Sequence, residues 1–172
     1  VEFMGTNSYI SLPDLGKADA FTFSASVLLR DVQSKPVTTI LDTLSEPGGV
    51  KLQFVHSGVP GKDGKNSTKL IFQVNGNAGG DVNDSGVQGQ NDRYYEHEYT
   101  FGQTANDWTS HPGDHAWFDI GVVYKPAEKK VEFYYDGRLD KTAFFSTAVK
   151  PVLKGVRLGA GYNSGEYLSG GL

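Results

Sequence analysis

Tyr94, Tyr99, Trp108 and Tyr162 stand among polar neighbours, beside Asn91, Asp92, Arg93, Asn106, Asp107 and Asn163. Sugars present flat C–H faces and hydroxyl edges. A site for them joins an aromatic platform to amide, carboxylate and guanidinium groups, which is the combination seen here. Trp108, between Asp107 and Thr109, is the best single platform; its alternative is a ring plugged against the body of the domain. Trp117 opens an apolar run and is expected to pack.

A second chemistry is that of a hard cation. Asp81, Asn83, Asp84, Asn91 and Asp92 cluster in a glycine-rich stretch. Calcium takes its ligands from carboxylates, amides and backbone carbonyls, which flexible loops supply. Asp81, Asn83, Asp84 and Asp92 are the expected ligands, although the spacing lacks the Gly and Glu of an EF-hand. An ordinary solvated loop is the alternative. With no cysteine in the chain, thiolate metals, disulfides and cysteine nucleophiles are excluded. His97, His111 and His115 match no standard zinc spacing.

Catalytic constellations are thin. Retaining glycoside hydrolysis needs two carboxyl groups about 5 Å apart. The nearest approach is Glu96-His97-Glu98, with no further carboxylate close in sequence, and Asp136 and Asp140 sit at and beyond a turn. No G-x-S-x-G occurs, and Gly159-Ala160-Gly161 has no helix after it to make a phosphate cradle. A glycoside hydrolase is the least favoured reading.

The elements that must position these residues are strands. The segment Trp117 to Leu139 places Phe118, Ile120, Val122 and Tyr124 on one face, then Val131, Phe133 and Tyr135 on one face. A period of two with β-branched and aromatic residues marks strands packed on one side. Lys125 to Lys130 is a charged connection containing Pro126, and Asp136-Gly137 suits a two-residue hairpin turn. Three antiparallel strands in a row form a meander, which needs a second layer to cover its apolar face.

Composition agrees. The 172 residues include 22 glycines and one methionine, which favours an all-β domain with many turns. The net charge is −4 and no basic block occurs, which argues against nucleic acid or an anionic membrane surface as partner. No apolar run approaches the roughly 18 residues of a membrane span, so no membrane insertion is expected. The chain begins inside a strand pattern with no charged-then-apolar leader, and reads as a mature or excised domain.

Along the chain, Val1 to Met4 reads as a strand with Phe3 inward and Glu2 outward, followed by Tyr9 to Leu12. Ala20 to Arg30 puts Phe21, Phe23, Ala25, Val27 and Leu29 on one face and Thr22, Ser24, Ser26, Leu28 and Arg30 on the other, a polar face expected to be wet or to lie under a loop. Thr38 to Leu44, Val50 to His56 and Thr68 to Asn75 are further strands, with a mobile hairpin tip at Ser57 to Ser67. Asn75 to Arg93 reads either as a disordered insertion or as a binding loop ordered by a ligand or ion. Tyr94 to Phe101, Ala143 to Ser146 and Val156 to Ala160 complete the strands.

The pattern W-x-x-I-x-V-V-Y, a short turn, then V-x-F-Y-x-D-G resembles the laminin G-like domains of the concanavalin A-like lectin/glucanase group. Phe3 to Ile10, Phe21 to Val27 and Val156 to Gly161 resemble other strands of that family, so the likeness spans nearly the whole chain. It implies one domain over residues 1–172, a two-sheet antiparallel β-sandwich of jelly-roll arrangement. It also implies a non-catalytic, lectin-like carbohydrate-binding module of a larger extracellular protein, with a structural or adhesive protein-interaction module as the alternative. Family members carry calcium near the two termini, which would implicate Asn7. One departure stands out: the family's closing strand should begin where this chain ends, at Ser169 to Leu172. The expectation is an open sheet edge beside Val1 to Met4, available to a strand from another molecule.

Overall fold

Phe118, Ile120, Val122 and Tyr124 alternate with Asp119, Gly121, Val123 and Lys125, and that alternation builds the centre of the fold. The computed structural model describes residues 1–29, 37–43, 47–60, 66–76, 94–100, 117–145, 148–162 and 166–172, with the backbone alone at 29, 56–60, 66–68 and 94–100. Within these, the strands are β1 (Glu2–Met4), β2 (Ile10–Ser11), β3 (Gly16–Lys17), β4 (Phe21–Leu29), β5 (Val37–Asp42), β6 (Val50–Pro60) and β7 (Asn66–Asn75). They continue with β8 (Tyr94–Thr100), β9 (Phe118–Lys125), β10 (Lys130–Tyr135), β11 (Arg138–Phe144), β12 (Val152–Leu153), β13 (Arg157–Leu158) and β14 (Ser169–Gly171).

Among the described residues these form two six-stranded sheets, β1-β14-β4-β9-β10-β11 and β2-β13-β5-β6-β7-β8, with a small β12-β3 pair beside them. All the pairings are antiparallel. The two sheets close over one core. Ile120, Val122, Tyr124, Val131 and Phe133 of the first sheet meet Ile40, Leu52, Phe54, Leu70 and Phe72 of the second. Each such side chain contributes roughly 1.5–3 kcal/mol by leaving water. Phe72 joins the layers through rings, lying 6.0 Å from Phe21 and 5.2 Å from Tyr124. Burial pushes the Tyr124 phenol up to about 12; its hydroxyl donates to the Val149 carbonyl at 2.8 Å.

The meander β9-β10-β11 forms as its residues require. Pro126 starts a 3-10 turn over Pro126–Glu128, and Lys129 leaves it with φ 51. Asp136 and Gly137 turn the second hairpin with φ 47 and 74, the left-handed pair that matches strand twist. The strand expected at Ala143 to Ser146 starts earlier, at Arg138, directly after this turn. At the proposed hairpin tip Ser57 to Ser67, β6 continues to Pro60 and β7 resumes at Asn66.

At the ends of the chain Ser169–Gly171 already forms a strand beside β1, and β1 is the outermost strand of its sheet among the described residues. β14 lies between β1 and β4, with Phe3 opposite Gly170 and Gly171 opposite both Glu2 and Leu28. Phe3 is buried and Glu2 is exposed, as expected. The strand was overlooked because Ser169-Gly170-Gly171 has almost no side chain to signal it. Its glycine has a steric cause: a Cβ on Gly171 would run into the indole of Trp117.

Candidate functional site

The outer side of the first sheet carries a groove of about 410 Å³. Its floor comes from alternation. Thr22, Ser24 and Ser26 of β4 face outward because Phe21 and Val27 face the core. Asp119 and Gly121 of β9 lie beside them in register, Ser26 opposite Asp119 and Ser24 opposite Gly121. Tyr134 of β10 lies next to Gly121 and forms the far wall. Gly121 leaves room for that ring, since a Cβ there would sit 3.2 Å from the Tyr134 Cβ.

The polar groups are arranged with little freedom. Ser26 Oγ donates to Asp119 Oδ1 at 2.5 Å. Asp136 Oδ1 accepts the Asp119 N–H at 3.0 Å, and Asp119 O accepts the Asp136 N–H at 2.9 Å. Tyr134 donates its hydroxyl to Glu132 Oε2 at 3.3 Å. Glu132 also meets Lys125 at 3.3 Å and Lys130 at 3.1 Å. The Lys130 ammonium, then that of Lys125, holds the Glu132 carboxyl below the usual carboxylate range against the opposing cost of its burial. Thr22 and Ser24 make no side-chain hydrogen bond among the described residues, so their hydroxyls are open to a ligand.

Trp117 sits one residue before β9 on this same outer face, two positions from Asp119. It was expected to pack. Its ring does lie against Gly171, yet the residue remains 56% exposed. The indole thus offers a flat apolar surface along the line of the groove.

The outer side of the second sheet is built differently. Thr39, Asp42, Lys51, Gln53 and Asn75 are all buried. Lys51 Nζ lies 2.5 Å from Glu166 Oε2 and 3.9 Å from Asp42 Oδ2. Thr39 Oγ1 donates to the same Glu166 oxygen at 3.2 Å. Asp42 Oδ2 accepts the Tyr162 N–H at 3.0 Å. At the rim, the Arg157 guanidinium carbon stands 4.0 Å from the Tyr162 ring centre and 5.1 Å from that of Tyr9.

Of the residues predicted to bind a ligand, Tyr162 is the one whose side chain is described, and it flanks Arg157 rather than the groove. Tyr94 and Tyr99 lie at the two ends of β8 by their backbone. Trp108, Asn91, Arg93, Asn106, Asp107 and Asn163 lie outside the described residues, as do the expected calcium ligands Asp81, Asn83, Asp84 and Asp92. Among the described residues no cluster of three or more His, Asp or Glu could hold a metal ion. The sequence marked the polar face of Thr22, Ser24 and Ser26 without assigning it chemistry and left open which of Tyr134 and Tyr135 faces out; Arg157 and Tyr9 were missed as site residues.

No protein-family model matches the chain, and no curated protein matches it by sequence. Solved structures do. The mouse laminin alpha1 chain, domains LG4-5, matches over 98% of this chain at TM-score 0.55 and 15% identity; the match spans 38% of that chain. A heptameric SAP-like pentraxin from Limulus polyphemus matches over 98% at TM-score 0.61 and 12% identity, spanning 70% of that chain. The binding domain of botulinum neurotoxin serotype D matches over 95% at TM-score 0.55 and 12% identity, spanning 35% of that chain. Together with two antiparallel sheets closed over one core, these likenesses give the chain its fold: it is a two-sheet antiparallel jelly-roll sandwich, the fold shared by those three domains.

Proposed function

We propose that this domain is a non-catalytic glycan-binding module of a larger extracellular protein, and that the groove of the first sheet is where the glycan lies. The observation that carries the reading is the groove itself. It combines open hydroxyls on Thr22 and Ser24, a fixed carboxylate on Asp119 and the Tyr134 ring, with the exposed indole of Trp117 in line. Hydroxyl and carboxylate groups answer sugar hydroxyls, and aromatic faces answer sugar C–H faces. The carboxylates present are tied to backbone and lysine partners, an arrangement suited to binding rather than to proton transfer. Calcium held by Asp81, Asn83, Asp84 and Asp92 belongs to the same proposal as an accessory ion.

The test is a glycan array followed by calorimetry. Ser24→Arg would fill the groove from an exposed position, and Trp117→Ala would remove the platform. Both variants should lose about tenfold or more in affinity for whatever the wild type binds, with calcium addition as a parallel arm. Unchanged binding by both variants would sink the groove assignment, and an array without a hit would sink the glycan reading.

A second reading rests on a separate observation. Edge strand β11 exposes Leu139 and Phe144, at 52% and 64%, on this same outer face. That combination suits a protein contact along the edge.

A further inference from the structure

Arg157 and its two flanking rings form a small built structure on the opposite sheet from the groove. In β13, Arg157 pairs with Ser11 of β2, so Tyr9 lies diagonally across from it on the same face. Tyr162 stands closer to it than Tyr9 does. The Tyr162 wall is held independently of the arginine. The Tyr162 hydroxyl donates to the Gly155 carbonyl, and its N–H donates to Asp42 Oδ2 at 3.0 Å. The Gly155 N–H in turn donates to Asp14 Oδ1 at 2.9 Å. The position must be glycine twice over. Its φ is +57, and an added Cβ would strike the Tyr162 hydroxyl.

The guanidinium carbon lies over both rings, 4.0 Å from the centre of Tyr162 and 5.1 Å from that of Tyr9. Stacking of this kind fixes the plane of a guanidinium without using any of its N–H donors. No acceptor pairs with those donors among the described residues. The nearby carboxylates Asp14 and Asp42 are each occupied by backbone N–H groups. Tyr9 and Tyr162 remain 47% and 39% exposed, so a ligand reaching the arginine edge also meets apolar ring surface.

This geometry selects a ligand class. A planar guanidinium edge with five donors in a fixed fork matches a planar carboxylate in bidentate fashion. A single cation on a chain of net charge −4 does not suit a densely charged polyanion, which needs a basic patch. A carboxylate attached to a sugar ring meets both requirements. The charge docks on the fork, and the ring C–H face lies on a tyrosine.

We propose that the clamp of Tyr9, Arg157 and Tyr162 is a second binding site, one that takes a single carboxylate borne on a sugar ring, as in a uronic acid. It shares no residue with the groove, so it stands or falls separately from the reading given there. The test is an NMR titration of the whole domain with glucuronate, glucose and acetate, following the Arg157 Nε–H and the amides of residues 155–162. Glucuronate should shift these signals with saturation, while glucose at the same concentration should not. Acetate should bind about tenfold more weakly for lack of the ring contact. Arg157→Lys keeps the charge but loses the fork, and should weaken glucuronate binding about tenfold. Tyr9→Ala, at a half-exposed position, should weaken it while keeping the arginine. Equal binding of glucuronate and acetate would overturn the sugar assignment. Unaltered glucuronate binding in both Arg157→Lys and Tyr9→Ala, or no response at all, would overturn the site.

Discussion

The two outer faces of the sandwich start from the same pattern and end in opposite states. On the first sheet, Thr22, Ser24 and Ser26 alternate with core residues and stay in water. On the second, Lys51 and Gln53 alternate with Val50, Leu52 and Phe54 in the same way, yet both are buried. Gly161 and Glu166 close over part of that face, bringing a carboxylate onto Lys51. Period-two alternation thus says which residues leave the core, and nothing about what they meet outside it. An uncovered polar face can bind; a covered one becomes a second, polar interior whose charges must satisfy one another.

The largest effect should come from Lys51. Replacing it by Met leaves Asp42 and Glu166 without their cation, and breaking a buried pair this way costs about 3–5 kcal/mol. Urea unfolding checks it, and a loss below about 1 kcal/mol would mean the second face is wet after all. A smaller effect belongs to Glu132 on the first face. Its folded carboxyl lies below the ordinary value of 4.5, so its contribution is present above that pH and is lost as pH falls through the folded value. Thermal melts between pH 6 and 3, which span the ordinary range on either side, should fall more steeply for the wild type than for Glu132→Gln. Parallel curves would remove the lysine contacts as the cause. The smallest effect is Ser24→Ala, which should stay within about 0.5 kcal/mol of the wild type, because its hydroxyl has no partner to lose. A larger loss would show that the groove floor is structural.

What could be read in the sequence was local. Asp136-Gly137, the alternation of β9 and β10, and the inward Phe3 follow from turn chemistry and period alone, and each stands as expected. What could not be read needed the sheet order. Arg157 meets Tyr9 because β13 lies beside β2, strands from opposite ends of the chain. The groove takes residues from β4, β9 and β10, whose register no single segment declares. β14 was illegible for another reason. Gly171 is there to admit Trp117, and a space left for a neighbour carries no signal of its own. The same indole shows how an apolar residue at a strand end can be both support and surface.

The Val1 nitrogen donates to the Leu172 carbonyl at 2.7 Å, and the Leu172 N–H donates to the Val1 carbonyl at 3.0 Å. Polypeptide leading to Val1 and polypeptide leaving Leu172 therefore pass one spot on the domain. Sequence fused at both ends would run in and out like the cord of a pendant, leaving the groove and the arginine clamp away from the suspension point by no more than the size of one sandwich. The same adjacency lets a short glycine-rich join link the two ends into a ring, with new ends opened at the exposed Asp136-Gly137 turn.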